Sequence, residues 1–247
     1  MPSTSETGHA KNVANFQDLI SFCTAYGPGY NPTKASITLA ALNTKHTTAI
    51  NALAVVNTSI PPSTNAINQR EIVFTPLSKL ITRVVNAVAA SDVSALVVDD
   101  VKTIARKLQG KRATPKITTI VDDPTTTANE SQKSISAFQM SFDQRIENMH
   151  KLIQLLTAQP NYKPNETELS IQGLTTQYND MVNANTTAIN AFTPVSNARI
   201  SRNEILYNPT TGLVTVAANA KTYVKSVFGS TSPQYKQVSK LKFKNEN

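Results

Sequence analysis

The side chains able to do chemistry are few, and their spacing does not suit catalysis. The three histidines are His9, His46 and His150. His9 lies in a polar N-terminal stretch, and His46 stands on an apolar helical seam. His150 has Ile153 and Gln154 where a second ligand one helical turn away would stand. With a single cysteine, Cys23, and no His-Glu-x-x-His spacing, the chain carries no zinc-ligand pattern. The carboxylate pairs Asp99/Asp100 and Asp122/Asp123 are sequence neighbours. Helical neighbours diverge by about 100°, so Asp99 and Asp100 do not converge on one ion or bond. Asp122, Asp123 and Pro124 read as a turn. Gly110, Lys111 and Arg112 lack the upstream glycine and the following Ser or Thr of a phosphate-binding loop, and no nucleophile elbow or dinucleotide turn occurs. The chain therefore reads as no enzyme, with no catalytic, cofactor-binding or metal-binding residue and no cofactor.

The positive chemical signal is basic. The net charge of +8 is concentrated: residues 102–116 hold six basic and no acidic side chains, and residues 200–247 hold seven basic against two acidic. In the first cluster, Lys102, Arg106, Lys107, Lys111 and Arg112 surround a helix end at Gly110, where cations also answer the helix macrodipole. In the second, Lys236, Lys240, Lys242 and Lys244 are interleaved with Tyr235, Val238, Leu241 and Phe243. Such a segment could dock on the molecule's own helices, on a neighbouring subunit or on a polyanion, and polyanion binding would depend steeply on salt. These basic residues, with Tyr235, Leu241 and Phe243, are the candidate partner-binding residues.

The elements that must position them are helices. Seven glycines, no tryptophan and evenly spread apolar residues suit long helices. Residues 15–25 read as a short helix stopped by Gly27, Pro28 and Gly29, and residues 31–33 open a long one. Its positions Leu42, His46, Ala49, Leu53, Val56 and Ile60 alternate by four and three, as a heptad seam does, and Leu174, Tyr178, Met181, Asn185, Ala188 and Phe192 repeat the pattern. Pro62 and Pro194 should kink or break these helices, and Pro76 and Pro209 should end them. Helices over 77–90, about 93–109, 130–159 and 211–228 follow, with an extended or partly ordered end after 230.

Those paired seams belong to a wider self-similarity. Residues 30–70 align with 162–202 at an offset of 132, and 71–87 align with 204–220 at 133. Pro28, Pro32, Pro62 and Pro76 find Pro160, Pro164, Pro194 and Pro209 in register. A further block sets Lys102, Thr103 and Gly110 against Lys221, Thr222 and Gly229. The expected architecture is an all-α, elongated helical bundle of two pseudo-symmetric repeats with long proline-kinked helices. Its parts are a disordered tail (1–14), repeat 1 (15–110), a linker (111–129), repeat 2 (130–229) and a basic docking segment (230–247).

Tyr30, Asn31 and Pro32, with REIVFTP at 70–76, KTIARKLQGKR at 102–112 and SPQYKQVSKLKF at 232–243, resemble an uncharacterised bacterial family of soluble, internally duplicated helical proteins. The resemblance implies a helical fold and carries no activity, ligand or functional residue. No run of about eighteen consecutive apolar residues marks an integral membrane segment. One cysteine and a polar N-terminus without an apolar core suit the cytoplasm, with leaderless export left open. The leading expectation is a non-enzymatic structural or interaction protein that self-associates as a homo-oligomer. The alternative is a binder of a polyanion, such as nucleic acid or a ribosome surface, or of an acidic protein. A helical pore-forming toxin is the weaker third.

Overall fold

Every element of the computed structural model, which describes residues 8–111 and 140–245, is helical. The order is α1 (His9–Ala25), α2 (Leu39–Phe74), α3 (Leu77–Ala89), α4 (Ala95–Gln109), α5 (Phe142–Thr157), α6 (Ile171–Tyr207), α7 (Leu213–Phe228) and α8 (Pro233–Ser239). Short 3-10 turns, Ala35–Ile37 and Thr167–Leu169, precede the two long helices. Local chemistry sets most boundaries. Ser94, Ser141 and Ser232 cap α4, α5 and α8 by accepting the N–H of Val97, Gln144 and Tyr235. Gly110 ends α4 in the left-handed region (φ 66°), and the Lys111 N–H returns to the Arg106 carbonyl at 2.9 Å.

Several boundaries differ from expectation. α1 begins at His9, not near Asn15, so residues 9–14 belong to a helix and not to a tail. α2 begins at Leu39, because Thr38 caps it through the Ala41 N–H after the 3-10 turn. α2 and α6 run unbroken through Pro61, Pro62 and Pro194. An internal proline costs one hydrogen bond and about 3 kcal/mol, but buried Ser63 and Val195 anchor the backbone beside it. They end as expected before Pro76 and Pro209. Ser232 and Pro233 turn the expected extended C-terminus into a helix start, with proline at a position that needs no N–H. The expected helix over 130–159 is described from Phe142 onward, and the linker after Lys111 lies outside the described residues.

The chain forms two compact units, and each long helix contributes one part to each. The first unit is Met1–Thr64 with Asn190–Asn247, and the second is Asn65–Ile189. Their boundaries fall inside α2 and α6, not in the 111–129 linker. In the first unit, α1 places Phe16, Leu19, Ile20 and Cys23 against Leu42 and Ala49 of α2, Leu206 of α6 and Leu213, Ala217, Ala220 and Val224 of α7. In the second, α5 places Met149, Leu152, Ile153 and Leu156 against Leu174 and Met181 of α6 and Leu77, Ile81, Val84 and Val88 of α3. α8 packs on α7 and α1, and α4 packs on α3 and α5. The expected pairing of α4 with the end of α7 is therefore not what the packing follows.

Like residues make like contacts in the two units. The Tyr30 hydroxyl donates to the Ile37 carbonyl at 2.7 Å, and the Tyr162 hydroxyl donates to the Leu169 carbonyl at 2.7 Å. The Thr24 and Thr157 hydroxyls cap the carbonyls of Ile20 and Ile153. The expected seam is half right. Leu42, Val56, Leu174, Met181 and Ala188 are buried, and Leu53 is partly so, but Ile60 and Phe192 are 38% and 48% exposed. Beyond Val56 and Ala188 the buried stripe passes through Ser63 and Val195, which turns Ile60 and Phe192 outward.

One stretch of the described residues, Leu39–Ala89, is long and apolar enough by length and composition to cross a membrane, although polar residues interrupt its apolar runs. It is divided by the turn at Thr75 and Pro76, and α3 buries Leu77, Ile81, Val84 and Val88 in the second core.

Candidate functional site

The C-terminal basic segment lies on its own unit. Val238 of α8 is fully buried, and Tyr235, Leu241 and Phe243 pack partly buried on the first core. Two asparagines of α1, one turn apart, hold the backbone that follows. Asn12 donates its Nδ2 to the Lys244 carbonyl at 2.7 Å, and its Oδ1 accepts the Lys244 N–H at 3.1 Å. Asn15 donates Nδ2 to the Lys242 carbonyl at 2.6 Å. From α7, Lys221 donates Nζ to the Leu241 carbonyl at 2.8 Å and sits 5.5 Å from the Phe243 ring centroid. Burial, and then the nearby Lys242, lower the Lys221 pKa. Lys225 faces the Tyr235 ring at 5.6 Å. The lysines alternating with these contacts, Lys236, Lys240, Lys242 and Lys244, are exposed.

Charge follows the units. The first holds eleven Lys/Arg against four Asp/Glu (+7), and the second holds thirteen against twelve (+1). The exposed lysines of this C-terminal segment (a strap over residues 233–245) therefore lie in the unit that carries nearly all the net charge. The other basic cluster is quieter. Lys102 pairs with Asp99 at 3.1 Å, the Arg106 guanidinium donates to the Thr103 hydroxyl at 2.8 Å, and Arg106 and Lys107 occupy the last turn of α4. Lys111 is exposed just beyond, and Arg112 lies outside the described residues. This cluster belongs to the second unit and the C-terminal one to the first.

Two features escaped the sequence reading. The first is a guanidinium–aromatic cluster in the second unit. Arg70 stacks on Phe142 with Cζ 3.8 Å from the ring centroid, and Arg145 faces Phe74 at 4.9 Å. The two rings meet edge-on at 4.9 Å. Arg70 donates to Asn185 Oδ1 at 3.0 Å, and Asn185 donates to Asp143 Oδ1 at 2.8 Å. Burial lowers the Arg145 pKa, with Glu71 acting in the opposite direction. Both Nε atoms are buried with no partner among the described residues, and the cluster's contacts join α2, α5 and α6. In the first unit the corresponding rings are His9 and Tyr207, with His9 Nδ1 2.6 Å from the Tyr207 hydroxyl.

The second is a pair of grooves with corresponding linings. Thr48, Asn51, Ala52 and Val55 of α2 with Ala198, Ser201 and Ile205 of α6 line a groove of about 280 Å³ in the first unit. Asp180, Asn183, Ala184 and Thr187 of α6 with Ala66, Gln69 and Val73 of α2 line one of about 440 Å³ in the second. Six of the seven residues in each lining stand 132 positions from an aligned counterpart in the other, and Ile205 and Val73 complete the two sets. The repeated Asn-Ala pairs were the signal that could have found them.

Among the described residues the titratable side chains do not assemble into a reactive centre. His150 stacks on Tyr178 at 5.3 Å, and burial lowers the pKa of His46. Cys23 is buried, and desolvation raises its thiol pKa to about 11, with the nearby Tyr30 hydroxyl acting in the opposite direction. Among the described residues no three His, Cys, Asp or Glu side chains are grouped to hold a metal ion. No family model, no curated protein and no solved structure matches the chain.

Proposed function

We propose that this chain is a tandem duplication and a non-enzymatic interaction protein that self-associates through two equivalent surfaces. The observation that carries this reading is the pair of grooves between α2 and α6 segments, one in each unit, lined by corresponding residues. The matched Tyr30 and Tyr162 hydrogen bonds and the matched α1 and α5 faces support the duplication. Each copy starts in one unit and ends in the other. Small side chains at the groove floors let another helix approach closely, and exposed apolar residues surround them. Among the described residues, eight of the ten exposed large apolar side chains belong to α2 and α6, including Val55, Ile72, Ile189 and Ile200. A chain with two like surfaces extends or closes an assembly instead of stopping at a pair.

The test uses groove positions that are exposed and correspond to one another, Val55 and Thr187. Val55→Glu or Thr187→Glu alone should cap the assembly at dimers, and the double variant should be monomeric, all with unchanged helical circular dichroism. Assembly unaffected by the double variant would overturn the reading.

A second reading follows from the +7 charge of the first unit and the exposed Lys240, Lys242 and Lys244. It takes the strap as a docking face for a polyanion. Retention on nucleic acid that falls steeply with salt, and is lost in a Lys240/Lys242/Lys244→Gln variant, would support it. Salt-independent or absent retention would remove it.

A further inference from the structure

In the first unit, Tyr223 of α7 lies against the chain leading into α2. Its hydroxyl accepts the Asn31 N–H at 3.2 Å, and its ring meets the Tyr30 ring edge-on, with centroids 5.3 Å apart and planes at 89°. In the second unit the counterparts of Tyr30 and Asn31 are Tyr162 and Lys163, both offset by 132. The counterpart of Tyr223 needs the structure. The buried face of α3 is Leu77, Ile81, Val84 and Val88, and that of α7 includes Leu213, Ala217, Ala220 and Val224, which sets the offset at 136 and not 133. The loop between α6 and α7 is three residues longer than that between α2 and α3, which accounts for the change. A second contact fixes the same register. Phe228 covers Gly29 so closely that no Cβ fits there unless the ring moves, and at the equivalent pair Asn161 donates its side-chain N–H to the Asp92 carbonyl at 2.6 Å.

Tyr223 therefore corresponds to Ala87. Where the first unit holds a phenol ring, the second has a cleft of about 570 Å³ lined by Arg83, Asn86, Ala87, Lys163, Asn165 and Glu166, among others. That volume lies within the range of about 300–1,000 Å³ typical of small-ligand sites. Arg83 is already paired with Glu168 at its edge, and the Lys163 N–H donates to none of the described residues.

We infer that this cleft receives the side chain of a tyrosine from a different polypeptide. The inference rests on the duplication proposed above. The entering ring packs on Ala87, at the place that Tyr223 takes in the other unit. Its hydroxyl accepts the Lys163 N–H, and the polar lining of Asn86 and Asn165 suits a phenol better than a bare phenyl ring. A second copy of this chain is not the donor. All seven of its tyrosines are described, and each is buried or half-buried in its own unit.

The test is titration of the full chain with N-acetyltyrosinamide, followed through backbone amide resonances. Saturable shifts are expected at Lys163 and Ala87, with N-acetylphenylalaninamide binding several-fold more weakly. Ala87→Tyr should fill the cleft from within, abolish those shifts and melt no lower than the parent. Tyr223→Ala should open a second site, seen as a new response at Asn31. Tyr223→Phe, which removes only the hydroxyl, covers the case in which the alanine variant fails to fold, and should shift the Asn31 amide. A folded, undiminished Ala87→Tyr variant together with no shift in the parent would overturn the inference and leave the duplication standing. An Ala87→Tyr variant that unfolds, with an Asn31 amide indifferent to Tyr223→Phe, would overturn the correspondence on which the inference stands.

Discussion

Replacing Asn12 with alanine probes how the C-terminal strap is held. Asn12 is only 2% exposed and makes two hydrogen bonds to the Lys244 backbone, at 2.7 and 3.1 Å, besides one from Nδ2 to the Tyr207 hydroxyl at 3.3 Å. A neutral hydrogen bond contributes about 0.5–1.5 kcal/mol net, so losing the two backbone bonds costs about 1–3 kcal/mol. The loss stays within that range because Lys244 is exposed and water can replace the missing partner. Most of the effect should be local, since Asn15 still holds Lys242 and Lys221 still holds Leu241. Amide hydrogen exchange reads local opening directly, and about 1.4 kcal/mol corresponds to a tenfold change in rate. Exchange at Lys244 should therefore quicken by about fivefold or more, while amides of α5 in the second unit keep their rates. Unchanged exchange at Lys244 in a folded Asn12→Ala protein would refute the claim that this asparagine clasps the strap.

Two further outcomes follow from burial. Leu174→Ala empties a fully buried site and should destabilise by about 2–5 kcal/mol, whereas Phe192→Ala, at a half-exposed site, should cost well under half of that in the same denaturant titration. The Cys23 thiol, raised from 9.0 to about 11, stays protonated in the folded chain while the unfolded chain ionises between those values. The unfolded state then binds fewer protons, so stability should fall as pH rises from 9 to 11. A Cys23→Ala variant should show a shallower decline in melting temperature over that window, and the parent thiol should resist alkylation at pH 8 until the protein unfolds.

The sequence showed those features that local chemistry dictates. Gly110, Gly229, Pro76 and Pro209 end helices through backbone conformation or a missing donor, and each does so where the residues alone place it. The prolines inside α2 and α6 were read as interruptions because the local cost was visible and the anchoring of Ser63 and Val195 was not. The composition of the two units could not be read, since repeat order along a chain does not say which half of one long helix packs with which half of the other. Asn12 falls in the expected tail and Asn15 at the very start of the expected first helix, and only an α1 that begins at His9 sets them one turn apart beside Phe16 and Leu19. The Tyr223 and Ala87 correspondence was hidden by a coincidence of residue types. Asn86 and Ala87 match Asn219 and Ala220 in identity, yet the buried faces of α3 and α7 align three residues further on.

The most direct test of a self-associating chain is its mass in solution by light scattering, measured across protein concentration at low and high salt. Assembly through apolar groove surfaces predicts a weight-average mass that climbs above the 26.8 kDa of one chain with concentration, and that high salt does not lower. A mass fixed at 26.8 kDa at every concentration and both salts would contradict it.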